Sequence, residues 1–200
     1  GQFAKPRSAE TETRNKISLP SYRGDAVNCI NFDSESRTPN PNRILQSYNQ
    51  SAATLNLLRA FINGGFADLD KIHIWNNELI EKSQIGKKYQ KIANEIQQSI
   101  EFIKSIGINN HSINITEFFT SHEALLLDYE SALTRIDSLS GKWYDCSAHF
   151  LWVGDRTRQT DGAHIEFLSG IKNPIGIKIG PESNNNEIIK ICKKLNPRNE

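Results

Sequence analysis

The chain has 200 residues, a hydrophobic fraction of 37% and 24 basic against 23 acidic residues, which leaves a formal net charge of +1. A chain of this size can supply the core of one domain, and so balanced a charge excludes the broad basic face of a non-specific nucleic-acid binder. The longest apolar runs fall short of the roughly 18 residues that a membrane-spanning helix requires. We therefore expect a globular protein with neither a nucleic-acid nor a membrane partner.

In the first half of the chain, the residue pattern is irregular at first and then helical. Residues 9–48 are polar and contain three prolines, which predicts a long irregular excursion with short helical or extended pieces, outside the core. Apolar residues at helical spacing predict a helix over 49–62, ended by Gly64 and Gly65. Alternating isoleucines favour a short strand over 69–75, and 86–106 has the apolar stripe of a long amphipathic helix.

The second half of the chain alternates between β-branched runs and helix-like segments. This repeat predicts an α/β fold in which helices cover a parallel sheet. The residue pattern does not distinguish an open sheet from a closed barrel, but no Gly-rich or Walker nucleotide-binding loop follows any strand. The expected strands are 112–119, 148–153 and 174–179, and the expected helices are 121–135, 157–170 and 183–195.

Ligands of parallel α/β sheets bind beyond the carboxyl ends of the strands, so the candidates for ligand binding are residues 120–123, 154–156, 178 and 180–181. Lys178 interrupts an apolar strand, where a buried ammonium is costly unless an anion meets it. A lysine that extends its amine into water is the alternative. Arg156 offers a guanidinium suited to a carboxylate or phosphate, although a capping or surface role is also open. We expect Arg158 to form a salt bridge, with Asp161 or another acid.

The segment Lys5-Pro6-Arg7-Ser8 is a third positive cluster, with a hydroxyl beside a guanidinium as in many phosphate sites. The histidines form no metal-binding pair, so we expect no metal ligand in this chain. Cys146 and His149 lie beside a strand and are expected to be packing residues. The three cysteines are widely spaced, which favours a reducing, cytoplasm-like compartment.

Five segments in order resemble the class II 3-deoxy-D-arabino-heptulosonate 7-phosphate (DAHP) synthases. The resemblance covers Gly1 to about Pro197, and it implies that residues 1–200 are part of one catalytic domain, a (β/α)8 TIM barrel truncated at both ends. Because methionine is absent, we expect an internal fragment of a longer protein. Because a truncated barrel is incomplete, we expect this fragment to be inactive by itself. The matching segments are GQFAKPRS (1–8), SYRGDAVN (21–28), SAATLNLLRAFINGGF (51–66), TSHEALLLDYE (120–130) and YDCSAHFLWVGDRTRQTDGAHIEFLSGIKNPIGIKIGP (144–181).

The resemblance implies condensation of phosphoenolpyruvate with erythrose 4-phosphate and water, the first step of the shikimate pathway to chorismate and the aromatic amino acids. It also implies a divalent metal such as Mn²⁺ or Co²⁺ with ligands outside this chain, a homo-oligomer when the protein is complete, and a bacterial cytoplasmic location, or a plastid for a plant gene. The matched residues are Lys5, Asp155, Arg156 and Lys178 for phosphoenolpyruvate, and Arg7 and Ser8 for erythrose 4-phosphate.

Asp155 departs from the glutamate that is usual in the family, and the shorter side chain weakens any contact that needs full reach, whereas a backbone contact would survive. Two other functions stay open at this point. One is a barrel aldolase that forms a Schiff base through Lys178, and the other is a non-catalytic module that binds a phosphorylated ligand.

Overall fold

The computed structural model describes residues 4–107 and 117–199. The chain divides into two compact units, one made of residues 1–49 and 119–200 and the other of residues 50–118. In chain order the elements are β1 (Thr11–Arg14), β2 (Ile17–Pro20), α1 (Ser34–Arg37), α2 (Asn42–Asn63), α3 (Leu69–Lys82), a 3-10 turn (Gly86–Tyr89), α4 (Gln90–Ser105), β3 (Ser121–Glu123), α5 (Leu127–Leu133), β4 (Thr134–Ile136), β5 (Trp143–Asp145), β6 (Phe150–Val153), α6 (Ala163–Gly170), β7 (Ile175–Ile177) and α7 (Asn185–Leu195).

A three-stranded parallel sheet, in the order β3-β6-β7, organises the first unit. The prediction of a parallel sheet with helices is therefore confirmed, and α6 and α7 follow β6 and β7 as the pattern indicated. The helix predicted over 121–135 is wrong at its start, because residues 121–123 form β3 and α5 begins only at Leu127. Within the strand predicted over 112–119, residues 112–116 lie outside the described residues and 117–119 are not strand.

The core of this unit lies where β6 meets the helices that follow it. Alternate residues of β6 point to opposite faces, so Leu151 and Val153 are both fully buried on one side. They pack with Ile165 and Leu168 of α6 and Ile191 of α7. Burying each of these side chains contributes about 2 kcal/mol, which fixes the position of the carboxyl end of β6.

Residues 9–48 do contain short helical and extended pieces, as expected. A hairpin of β1 and β2 turns at Asn15 and Lys16, both with positive φ, and α1 follows. None of the residues 9–48, all of which the structure describes, belongs to the apolar core cluster around β6, although Asn28 and Arg37 are both 0% exposed. Backbone groups of the same stretch form hydrogen bonds with both side chains. These bonds replace those to water, so the two polar side chains can be buried.

The second unit contains most of α2 with α3 and α4. The predicted helix over 49–62 is confirmed, although α2 begins earlier, at Asn42, and Gly65 ends it with φ of 76°. The predicted strand over 69–75 is wrong, because these residues open α3. The helix predicted over 86–106 is confirmed as the 3-10 turn and α4.

A third sheet pairing lies between the parallel strands in the sequence and was not predicted. Strands β4 and β5 pair antiparallel, with Arg135 opposite Tyr144, and form a two-stranded sheet beside the parallel one. No helix within residues 4–107 and 117–199 is both long and apolar enough to cross a bilayer.

Candidate functional site

The segment near the start of the chain meets the loop after β6. Arg156 donates a hydrogen bond from Nε to the Ser8 hydroxyl at 3.1 Å, although 148 positions separate the two residues in the sequence. Both side chains are exposed. The structure therefore brings together one residue that the resemblance assigns to phosphoenolpyruvate and one that it assigns to erythrose 4-phosphate.

Lys178 lies at the neighbouring strand end. Its backbone N–H donates to the Val153 carbonyl at 3.0 Å, and Val153 pairs with Ile177 in the parallel register. Because β7 ends at Ile177 and Lys178 is exposed, the interpretation of a lysine within a buried strand is wrong. Lys178 instead directly follows the strand, on the same carboxyl edge of the sheet as the loop that carries Arg156.

Lys5 and Arg7 lie along residues 21–23. The backbone N–H of Lys5 donates to the Arg23 carbonyl at 2.7 Å, and Arg7 Nε donates to the Tyr22 carbonyl at 2.8 Å. Both side chains are exposed. Since one guanidinium nitrogen of Arg7 is used by this contact, the others are left to bind a ligand.

Asp155 is held by Arg158 on the far side of the loop. Arg158 Nε donates to Asp155 Oδ1 at 3.0 Å, while its Nη1 pairs with Glu187 at 3.0 Å. The expected salt bridge of Arg158 is confirmed, but its partners are Asp155 and Glu187 rather than Asp161. With its carboxylate engaged in this way, Asp155 is better placed to offer an anion its backbone N–H than its side chain.

Glu123, one of the strand-end residues 120–123, belongs to the same edge, but nothing in the sequence assigned it a role. It ends β3, is 6% exposed, and lies so close to Gly154 that a Cβ at position 154 would come within 2.7 Å of its carboxyl carbon. Only glycine fits there without displacing the carboxylate.

A buried polar cluster lies around α5 and β5, and the sequence analysis did not find it. His122 Nε2 is 2.8 Å from Glu130 Oε1, and the Ser147 hydroxyl donates to Glu130 Oε2 at 2.6 Å. Asp145, 1% exposed, accepts the Ser147 N–H at 2.8 Å. Burial, with a further contribution from Glu130, raises the pKa of Asp145 to about 6.

Replacing Asp145 by asparagine is expected to stabilise the complete gene product above pH 6. The folded state resists ionisation of Asp145, so wild-type stability falls as the pH rises from 3.8, the ordinary pKa, to about 6. Asparagine keeps the acceptor for Ser147 and never ionises, so the gain at neutral pH is at most about 3 kcal/mol. Thermal unfolding measured across this pH range should show a difference in Tm that grows with pH.

Asp137 provides a control in which the pKa shift has the opposite direction. Hydrogen bonds from Ser140 and Leu139 hold the pKa of Asp137 below its usual value, so its ionised form stabilises the folded state. Asp137→Asn should lower Tm at neutral pH and lose this effect under acid conditions. A pH-independent change in Tm for Asp145→Asn would contradict the assignment of a raised pKa.

Cys146 and His149 are both exposed, so the prediction of a packing role is wrong for Cys146, whereas the His149 ring meets the Phe119 ring edge-on with centroids 5.4 Å apart. His149 Nδ1 lies 2.9 Å from the Thr120 hydroxyl, and the three cysteines are free thiols. Among the described residues, no group of three or more His, Cys, Asp or Glu side chains is arranged to hold a metal ion.

The chain is similar throughout its length to known proteins. The sequence profile of the Class-II DAHP synthetase family matches residues 1–200. A phospho-2-dehydro-3-deoxyheptonate aldolase of Streptomyces coelicolor is 50% identical over 200 residues. Aldolases of that name from Mycolicibacterium smegmatis and Neurospora crassa are 40% and 42% identical over 205 and 215 residues. Each alignment covers 100% of this chain but 44% of the relative, so the chain spans less than half the length of these curated relatives.

Proposed function

The chain belongs to the class-II DAHP synthetase family, and from that premise we propose that it is part of an enzyme that condenses phosphoenolpyruvate with erythrose 4-phosphate. Water is the third reactant, and the products are DAHP and phosphate. This is the first step of the shikimate pathway, which leads to chorismate and the aromatic amino acids. Relatives of 40% to 50% identity that are named as phospho-2-dehydro-3-deoxyheptonate aldolases support the proposal.

The observation that carries the proposal is the contact between Ser8 and Arg156, which lies in the loop after β6. It joins two exposed cationic segments, each from a separate part of the sequence, at one edge of the parallel sheet. Both substrates are small phosphorylated anions, and cations fixed on a rigid sheet are suited to bind them. We assign Lys5, Asp155, Arg156 and Lys178 to phosphoenolpyruvate and Arg7 and Ser8 to the phosphate of erythrose 4-phosphate.

In the reaction, carbon 3 of phosphoenolpyruvate forms a bond to the aldehyde carbon of erythrose 4-phosphate. The oxygen of water adds to carbon 2, and the bond between carbon 2 and the phosphate oxygen breaks to release phosphate. Arg156 and Lys178 would hold the carboxylate and phosphate of phosphoenolpyruvate. Their positive charges would balance the negative charge of the substrate as it is redistributed during the reaction. Because these cations are in position before the reaction, they stabilise the transition state without reorganisation.

We assign the ligands of any divalent metal, such as Mn²⁺ or Co²⁺, to the rest of the protein, since the described side chains do not fit such a site. We also propose that the parallel sheet is part of a (β/α)8 TIM barrel to which residues 1–200 contribute as one catalytic domain. Three parallel strands, with helices following each of them, support this assignment. A homo-oligomer in the cytoplasm is the corresponding proposal for the complete protein.

An assay of the complete gene product tests the function. With both substrates and a divalent metal, we expect phosphoenolpyruvate to be consumed and DAHP and phosphate to appear in equal amounts. Absence of DAHP, with the protein folded, would contradict the proposal. Binding of both substrates without turnover would instead indicate a non-catalytic phospho-ligand module.

A second candidate is an aldolase that uses Lys178 as a Schiff-base nucleophile, to which the position of this lysine directly after a parallel strand points. Borohydride reduction in the presence of erythrose 4-phosphate separates the two mechanisms. A DAHP synthase of the proposed kind forms no covalent adduct, so the mass of the protein should not change. An adduct located at Lys178 would establish the alternative.

A further inference from the structure

A short support segment, residues 21–23, holds the segment that carries Lys5, Arg7 and Ser8. Residues 4–10 adopt neither helix nor strand, so their conformation depends on contacts with other parts of the chain. The support segment provides these contacts along its whole length. The hydrogen bonds run from Lys5 N to Arg23 O at 2.7 Å, from Arg7 Nε to Tyr22 O at 2.8 Å, from Ser21 N to Glu10 O at 2.9 Å and from Ser21 Oγ to Ala9 O at 2.8 Å.

Asn28 in turn holds both ends of the support segment. Its side chain is 0% exposed, and Oδ1 accepts the Arg23 N–H at 2.8 Å. Its Nδ2 donates to the Ser21 carbonyl at 2.9 Å and to the Arg37 carbonyl at 3.1 Å. Both donors of the amide are therefore used, and the support segment is tied to the end of α1 through a single buried side chain.

The Arg7 guanidinium is oriented directly by this arrangement, because its Nε donates to a carbonyl of the support segment. Ser8 is the next residue, and it meets Arg156. A shift of the support segment would thus move the two residues assigned to the phosphate of erythrose 4-phosphate. Among the residues assigned to phosphoenolpyruvate, Lys5 is also held by this support, whereas Asp155, Arg156 and Lys178 follow strands of the parallel sheet.

We propose that Asn28 is a positioning residue that fixes Arg7 and Ser8 for the phosphorylated aldehyde substrate. Asn28 does not touch the substrate; it acts through residues 21–23. The inference rests on the proposed function, and it goes further by assigning the specificity for one of the two substrates to a buried amide outside the site.

The variant Asn28→Asp tests this most sharply, because it changes one NH₂ group to oxygen. The carbonyls of Ser21 and Arg37 would then face a carboxylate oxygen instead of a donor. In the complete gene product we expect KM for erythrose 4-phosphate to rise by about tenfold or more, because both Arg7 and Ser8 shift. KM for phosphoenolpyruvate should rise by a smaller factor, about threefold, because only Lys5 among its assigned residues is held by the support segment. Loss of a residue with a purely structural role would change the KM values for the two substrates to a similar extent.

Asn173 offers a matched control. Its Nδ2 donates to the Asp145 and Ala148 carbonyls at 2.9 and 3.1 Å, and its Oδ1 accepts the Asp145 N–H at 2.8 Å. It repeats the hydrogen bonds of Asn28, but it precedes β7 and supports the loop before β6, at the amino ends of these strands. Asn173→Asp should leave both KM values within about twofold of the wild type.

Hydrogen exchange gives a readout that does not require activity. In Asn28→Asp the amide of Lys5 should exchange at least about tenfold faster, while the amide of Leu151 in β6 keeps its rate. If Asn28→Asp fails to fold, Ser21→Ala serves as the second variant, since it removes only the hydrogen bond to Ala9. We expect smaller changes of the same kind from it.

The results separate the positioning role of Asn28 from the proposed DAHP synthase activity. A selective rise in KM for erythrose 4-phosphate together with faster exchange at Lys5 supports the positioning role. Equal changes in both KM values, or none in an active enzyme, overturn it. If the wild type makes no DAHP, the proposed function fails, and unchanged exchange at Lys5 would then overturn the role of Asn28 as well.

Discussion

Replacing Arg156 by alanine in the complete gene product is expected to lower kcat/KM for phosphoenolpyruvate by about 100-fold or more, equivalent to roughly 3 kcal/mol. The guanidinium follows β6, whose buried residues fix its position, and it meets Ser8 at 3.1 Å. Alanine removes both the charge for the substrate and the link to the segment of Lys5 and Arg7. Steady-state kinetics with each substrate varied in turn measure the loss.

Arg135→Ala is the matched control for Arg156. Arg135 is another exposed arginine of the same unit, and its Nη1 donates only to the nearby carbonyls of Ala132 and Thr134. We expect its replacement to change kcat/KM by less than about twofold. Kinetics of Arg156→Ala equal to those of Arg135→Ala would remove Arg156 from the site.

Replacing Arg37 by alanine should have the largest effect on stability. The side chain is 0% exposed and donates to the backbone carbonyls of Pro20, Ile30 and Asn31, while its Nη2 also bonds Glu12 at 3.2 Å. Alanine leaves buried carbonyls without a donor, each at a cost of about 1 to 3 kcal/mol. Hydrogen exchange over residues 20–37 should therefore show a fall of about 3 kcal/mol or more in the local opening free energy.

Arg14→Ala provides the comparison for Arg37. Arg14 also contacts Glu12 and lies over the Phe32 ring, but its side chain is 58% exposed. Exposed pairs of this kind contribute about 0 to 1 kcal/mol, so little change is expected. Equal losses for Arg14→Ala and Arg37→Ala would show that charge near Glu12, and not the buried carbonyl contacts, stabilises this region.

The elements that the sequence predicted well are those with a strong apolar period. The run ending in Leu151 and Val153 marks β6 because it is buried by helices that bring their own apolar stripes. The failure at 69–75 has a simple cause. Two alternating isoleucines fit a strand, yet they also begin the helical series that continues through Trp75 and Leu79.

The buried polar side chains near the site could not be predicted from the spacing of residues in the sequence. Asn28 and Arg37 are buried because backbone carbonyls satisfy them, and such partners leave no trace in residue spacing. The contact of Ser8 with Arg156 joins residues far apart in the sequence. Resemblance named both residues, but only the folded chain brings them together.

A crystal structure of the complete gene product with phosphoenolpyruvate tests the central claim most directly. We predict that the carboxylate and phosphate of this one molecule lie within hydrogen-bond distance, about 3 Å, of both the Arg156 guanidinium and the Lys178 amine. A structure in which these two cations face different sides of the protein, or in which phosphoenolpyruvate binds away from both, would contradict it.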